Sequence, residues 1–249
     1  MLSRTTHTVT RTPQADLREY FQQVRDQYPL NSSSAQACVA LFEYFERRAF
    51  GRMTCLSPLY LHQCAQKLLA KQFESGTDLR TVLKSAVRFG IPEEYHWPYD
   101  SAWFNRDPDP FLSRSVRAFE SCIYVRLDTP NQTGPDTLET VRRFVLAGYP
   151  VAFGMLLPSS ISNDATIHYR PTFDSYRQGH AFVVVGFDDR HLHSGRGSLL
   201  VRSCWGTDWG DNGYGWLPYG YVENQVAVDF WTLLHADWLE SGEFDCPLI

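Results

Sequence analysis

A histidine opens one apolar run, from Gly179 and His180 through Ala181, Phe182, Val183, Val184 and Val185 to Phe187. A second run, Leu199 to Val201, continues through Arg202, Ser203, Cys204, Trp205 and Gly206 into Trp209 and Gly210. Runs this short, rich in β-branched and aromatic residues, read as buried strands. The second ends in a Trp-Gly-x-x-Trp-Gly turn. A histidine beginning an apolar strand is ordinarily a core residue, so His180 becomes a site candidate only through what surrounds it.

The first half of the chain has a different texture. From Cys38 the apolar positions Leu41, Phe42, Phe45 and Ala49 follow helical spacing, one buried stripe that stops at Gly51. Ser57-Pro58 begins a second helix by N-cap and first-turn logic, and a third runs from about Thr77 to Phe89 before Gly90-Ile91-Pro92. Beyond the Pro-rich stretch Asp107–Pro110, strand-type runs appear at 122–127, 151–156, 181–187 and 198–201, with one helix near 138–146 and a long polar loop over 157–179. Helices first and strands later predict an α+β protein with its boundary near residue 115, a helical part over 1–115 and a β part over 116–249.

Composition narrows the functional classes. A hydrophobic content of 43% with 20% charged residues is that of a globular chain, and a net charge of −5 gives no electrostatic reason to expect nucleic acid or an anionic membrane as partner. The N-terminus carries no apolar signal-peptide core and no run is long enough to span a membrane, so a cytoplasmic location is expected. The six cysteines lack paired spacing and read as free thiols. His62-x-Cys64 and His191-x-His193 are too isolated for a metal site; no metal and no cofactor is expected. Oligomeric state is left open.

Several separated segments together resemble the papain-like cysteine peptidase family, particularly its bacterial members. They are Asp16-Leu17-Arg18, Val24-Arg25-Asp26-Gln27, Leu56 to Leu61, Gly76-Thr77, Trp97-Pro98-Tyr99, the His180 and Trp205 segments, and Gly213 to Tyr219. Their order along the chain is the family's. The resemblance implies a helical left domain, a β-barrel right domain and a substrate cleft between them. It assigns Gln27 to the oxyanion hole, His180 to the catalytic histidine, Gly76 to the cleft wall, and Trp205 to the cover over the histidine. A peptide or protein substrate is the implied partner.

The nucleophile position departs from the family. Its cysteine follows the glutamine by six residues, which here gives Ser33, and residues 33–44 overlay the family's helix without a gap. Choosing Cys38 instead needs an insertion and turns the side chain by about 140° around the helix, into the buried stripe. Ser33 also has a plain reading: Ser33-x-x-Gln36 is a capping-box pattern. The family's orienting asparagine is replaced by Ser203. Cys204, next to Ser203 in a strand, is expected to point to the opposite face as a buried thiol.

Chemistry makes both changes costly. A thiol at a helix N-terminus beside a histidine ionises easily, whereas a serine hydroxyl must be deprotonated during attack by a well-oriented base. Spoiling the orienting residue of a serine protease alone costs on the order of 10⁴ in kcat. A peptide-binding, catalytically impaired pseudopeptidase is therefore expected. The alternatives are a hydrolase or acyl transferase using Ser33 and His180, as in leader or peptide processing, and a serine introduced into an active cysteine peptidase to trap substrate. With the matching segments starting near residue 15, no inhibitory pro-segment is expected.

Overall fold

The protein is described here by a computed structural model covering residues 14–70, 76–108, 112, 115–191 and 197–247. The first eight residues read for a signal peptide, Pro110 of the Pro-rich stretch, and His193 lie outside the described residues.

In chain order the elements are β1 (Gln14–Asp16), α1 (Ser33–Phe50), α2 (Pro58–Leu69), α3 (Leu79–Phe89), β2 (Ile91–Pro92), β3 (Val116–Arg117), β4 (Ile123–Arg126) and α4 (Gly134–Leu146). Then follow β5 (Val151–Pro158), β6 (Tyr176–Asp188), β7 (Ser198–Arg202), β8 (Tyr214–Pro218), α5 (Gly220–Glu223), β9 (Ala227–Leu234) and α6 (Ala236–Glu240). α1, α2 and α3 fall in the first part of the chain and most of the strands after it, while β1 opens the described chain and α4, α5 and α6 lie among or after the strands.

The helix boundaries have local causes. Gly51, at a φ of 66°, returns its amide to Arg47 O and ends α1. The Ser57 hydroxyl accepts the Tyr60 amide and Pro58 takes the first turn of α2. α3 starts at Leu79, two residues later than its expected Thr77, because the Asp78 carboxylate caps it by accepting the Thr81 amide. The capping box at Ser33 does not form. Ser32 occupies the N-cap position without a side-chain cap bond, and its hydroxyl pairs with Tyr99 Oη at 2.7 Å.

α1 is the central helix, buried from Ser33 to Glu46. Its Leu41, Phe42 and Phe45 share one core with Phe153, Phe182 and Phe230 of the sheet. Each such fully buried side chain stabilises the fold by about 1.5–3 kcal/mol. Cys38 lies in this core with no exposed surface, and burial pushes its thiol pKa well up. It is core, as the helical stripe predicts.

The sheet is antiparallel and runs β4-β9-β5-β6-β7-β8, with β1 pairing the far end of β6. A barrel was the expectation from family resemblance; among the described residues β4 and β8 form the two ends of this order and do not pair with each other. Both chain ends tie the halves together. β1 joins the sheet, while Trp238 of α6 stacks on Phe45 of α1 at 4.6 Å between ring centroids. β6 is longer than its apolar core suggests because Tyr176 and Gly179 still pair with β5, opposite Pro158 and Leu156.

Candidate active site

Three segments meet at the start of α1. Residues 25–27 run antiparallel to 204–206: the Gln27 amide donates to Cys204 O at 2.8 Å, Asp26 bridges Trp205, and the Gly206 amide donates to Arg25 O at 3.1 Å. Tyr99, from the Trp-Pro-Tyr segment, locks this ribbon to the helix. Its hydroxyl donates to Gln27 O and pairs with Ser32 Oγ, the residue before Ser33. Thus the segment containing Gln27 and the helix start containing Ser33 are tied through one phenol.

His180 lies on β6 opposite Met155 of β5. Its ring is 4.3 Å from Trp205 and 4.7 Å from Phe182, measured between centroids, and Trp209 packs behind Trp205 at 5.0 Å. This aromatic surround leaves His180 5% exposed. Burial in it lowers the imidazole pKa to about 3, because the charged ring would lose its water without gaining an anion. At neutral pH His180 is therefore a neutral base.

Ser33 is the first residue of α1 and its hydroxyl accepts the Ala181 amide at 3.2 Å. The hydroxyl is bonded to the backbone just beyond His180, not to the imidazole. Ser33, His180, Gln27 and Gly76 line one cleft of about 780 Å³ between the α1 and α3 starts and the β5–β6 edge. A volume of that order suits a ligand site. Gly76 is open to the cleft; a Cβ there would meet nothing nearer than Asn31 O at 3.8 Å. Trp205 stacks on His180 but is outside the cleft lining.

Ser203 is placed differently from the expectation. β7 ends at Arg202, and the chain turns so that Ser203 Oγ donates to Gly213 O at 2.9 Å while accepting the Trp205 amide at 3.3 Å. The turn itself thus engages the hydroxyl as both donor and acceptor. Cys204 is the group beside the ring: its Sγ lies 3.5 Å from His180 Nε2 and donates to Gln27 Oε1 at 3.3 Å. The sequence places a buried thiol here, and Cys204 is 4% exposed, but its contact with the histidine was not legible. Its position directly after the asparagine position is the signal that bears on it.

Two carboxylates, Asp78 and Asp229, also line the cleft, and no Lys or Arg does so among the described residues. Asp229 accepts from Trp231 Nε1 at 2.8 Å, and burial raises its carboxyl pKa. All six cysteines are unpaired. Among the described residues no group of three or more His, Cys, Asp or Glu is placed to hold a metal ion, and no helix is long and apolar enough to cross a membrane.

The papain family cysteine protease model matches residues 12–229. A peptidase C1-like protein of Acanthamoeba polyphaga mimivirus is 29% identical over 217 residues, covering 84% of this chain and 68% of the viral protein. Cathepsin J of Mus musculus is 28% identical, over 80% of this chain and 58% of its own length. Among solved structures, xylellain, a cysteine protease from Xylella fastidiosa, superposes with a TM-score of 0.77 at 25% identity, covering 90% of this chain and 87% of xylellain. The bromelain protease of Ananas comosus, in complex with the E64 inhibitor, shares the fold at a TM-score of 0.67 and 16% identity, over 90% of this chain and all of bromelain. The chain belongs to the papain family of cysteine proteases and has its α+β fold.

The depressed pKa of His180 has a measurable consequence. The unfolded histidine takes up a proton near pH 6.5, the folded one only near pH 3. Between these values the unfolded state binds more protons, so stability is complete above pH 6.5 and falls as pH drops. The slope approaches about 1.4 kcal/mol per pH unit. Urea midpoints between pH 7.5 and 4 should show this slope in the wild type and lose that component in His180→Gln. An unchanged slope would mean that the ring is hydrated.

Proposed function

We propose that this papain-family protein binds an extended peptide in the cleft between its helices and its sheet, and that its own peptide-bond hydrolysis is very slow or nil. The observation carrying this reading is Ser33. A hydroxyl stands at the nucleophile position, and it is held by the Ala181 amide rather than by the base. The cleft itself is retained. Gly154 lies in its floor, where a Cβ would have Val228 O at 3.9 Å and His180 O at 4.0 Å as its nearest neighbours. The acidic lining of Asp78 and Asp229 favours peptides carrying Lys or Arg, by a margin that salt should reduce.

A second reading is favoured by one observation. A neutral His180 can act as general base for Ser33, with Gln27 and the free amides at the α1 N-terminus receiving the oxyanion. That is the serine hydrolase or acyl transferase alternative.

One experiment addresses both. Fluorescent peptides with a central Lys should bind, and bind more tightly than their Glu counterparts, while Gly154→Phe should abolish binding by filling the cleft. Over the same period no cleavage product should form and a fluorophosphonate should not label Ser33. Stoichiometric labelling at Ser33 that disappears in His180→Ala would replace this reading with the hydrolase. If no peptide binds the wild type, or if binding survives Gly154→Phe, the peptide cleft is removed altogether.

A further inference from the structure

We infer that Cys204 is the positioning residue of this site, setting the tautomer of His180 and the orientation of Gln27 at once. An amide oxygen only accepts, so in the contact between Cys204 Sγ and Gln27 Oε1 the thiol is the donor. A thiol has one hydrogen, and that contact uses it. Toward His180 Nε2, 3.5 Å away, the sulfur therefore offers only lone pairs. The ring nitrogen that faces it must carry the proton. Nδ1 is then the bare nitrogen, the one able to accept a proton.

The same contact fixes the other partner. With Oε1 held by the thiol, the side-chain NH₂ of Gln27 is left as the donor end of the amide, free for a developing oxyanion. The backbone ribbon explains why one atom reaches both groups. Gln27 and Cys204 are joined by the 2.8 Å bond from the Gln27 amide, and cross-strand neighbours share a face. Ser203 cannot take this part, because its hydroxyl already donates to Gly213 O and accepts the Trp205 amide. Burial supports the assignment: in a site this dry the thiol stays protonated and does not leave as thiolate.

This inference concerns the base and oxyanion side of the site, so it stands whether or not Ser33 cuts a peptide. Its test needs no turnover. Nitrogen-15 NMR of the ¹⁵N-histidine-labelled full chain at pH 7 should show His180 with a protonated, pyrrole-type Nε2, a pyridine-type Nδ1 and a slowly exchanging ring N–H. Cys204→Ala should lose the slow N–H and the single tautomer. Cys204→Ser should keep both, since a hydroxyl also donates once and accepts, and Ser203→Ala should leave both unchanged. A wild-type ring protonated on Nδ1 would overturn the inference without any variant. So would a His180 signature that survives Cys204→Ala, or one that Ser203→Ala disrupts. Amide spectra of each variant report whether the fold is retained. If Cys204→Ala does not fold, the wild-type tautomer and the Cys204→Ser and Ser203→Ala spectra decide.

Discussion

Ser33→Cys is expected to turn the protein into a measurable peptidase, raising hydrolysis of an extended fluorogenic peptide by roughly 10²-fold or more, because a thiol is partly ionised at neutral pH and a hydroxyl is not. The retained parts make this the largest gain available from one substitution. His180 is neutral, Gln27 is anchored, and the first residue of a helix is where a thiol ionises most readily. A hydroxyl in that place has no comparable ground-state anion. Because burial holds His180 near a pKa of about 3, the ring brings no ready positive charge to the new thiol. The rate of the variant should therefore rise with pH through the thiol's own ionisation, and show no separate histidine limb between pH 5 and 7. Adding Ser203→Asn should contribute little, since Cys204 already faces Nε2. If activity appears only in Ser33→Cys/Ser203→Asn, the missing asparagine is the true deficiency. If neither variant cleaves any peptide that binds, the defect lies beyond the nucleophile.

The sequence made some of this legible and hid the rest for physical reasons. Helix ends at Gly51, Ser57 and Gly90 follow from local chemistry, and short-range rules reach them. Ser33 is singled out in the sequence only by its spacing from Gln27; the local pattern predicts a cap at Ser33, and the cap position falls on Ser32 instead. Strand alternation predicts that Ser203 and Cys204 point to opposite sides, and they engage different partners, Gly213 O and His180 Nε2; which of the two meets the ring has no signal in the alternation itself. The strand stops at Arg202, and after that a turn decides where each side chain goes. Tyr99 belongs to a motif that the sequence displays, but its clamp on Gln27 O and Ser32 joins positions far apart in the chain. Contacts of that kind have no periodic signature.

Arg25→Met is expected to destabilise the protein by about 3–5 kcal/mol at pH 7, the cost of removing one partner from a buried ion pair. Arg25 reaches Glu43 of α1 through two bonds, at 2.7 and 3.0 Å, and Glu94 through its Nε at 3.1 Å. Glu43 is 3% exposed, and its one further bond among these is from the Leu56 amide. Burial already raises the Glu43 carboxyl pKa against the opposing pull of Arg25, so without the guanidinium it should rise further. A raised folded pKa gives stability at low pH that is lost as pH rises. The deficit of Arg25→Met should accordingly shrink on acidification, and Arg25→Met/Glu43→Leu should recover much of it by removing the stranded charge. The exposed pairs of Arg18 with Asp16 and Asp211 set the scale: with side-chain exposures of 38%, 48% and 62%, their loss in Arg18→Met should cost no more than about 1 kcal/mol. Urea midpoints of the variants measure each difference. The functional consequence follows from where Arg25 sits, two residues before Gln27 on the ribbon that faces Cys204. Loosening that ribbon should weaken the thiol's hold on Gln27, so in the Ser33→Cys background Arg25→Met should lower kcat more than it raises KM. A midpoint shift no larger than that of Arg18→Met would show instead that water reaches Glu43 and that the ion pair does not anchor the oxyanion side of the cleft.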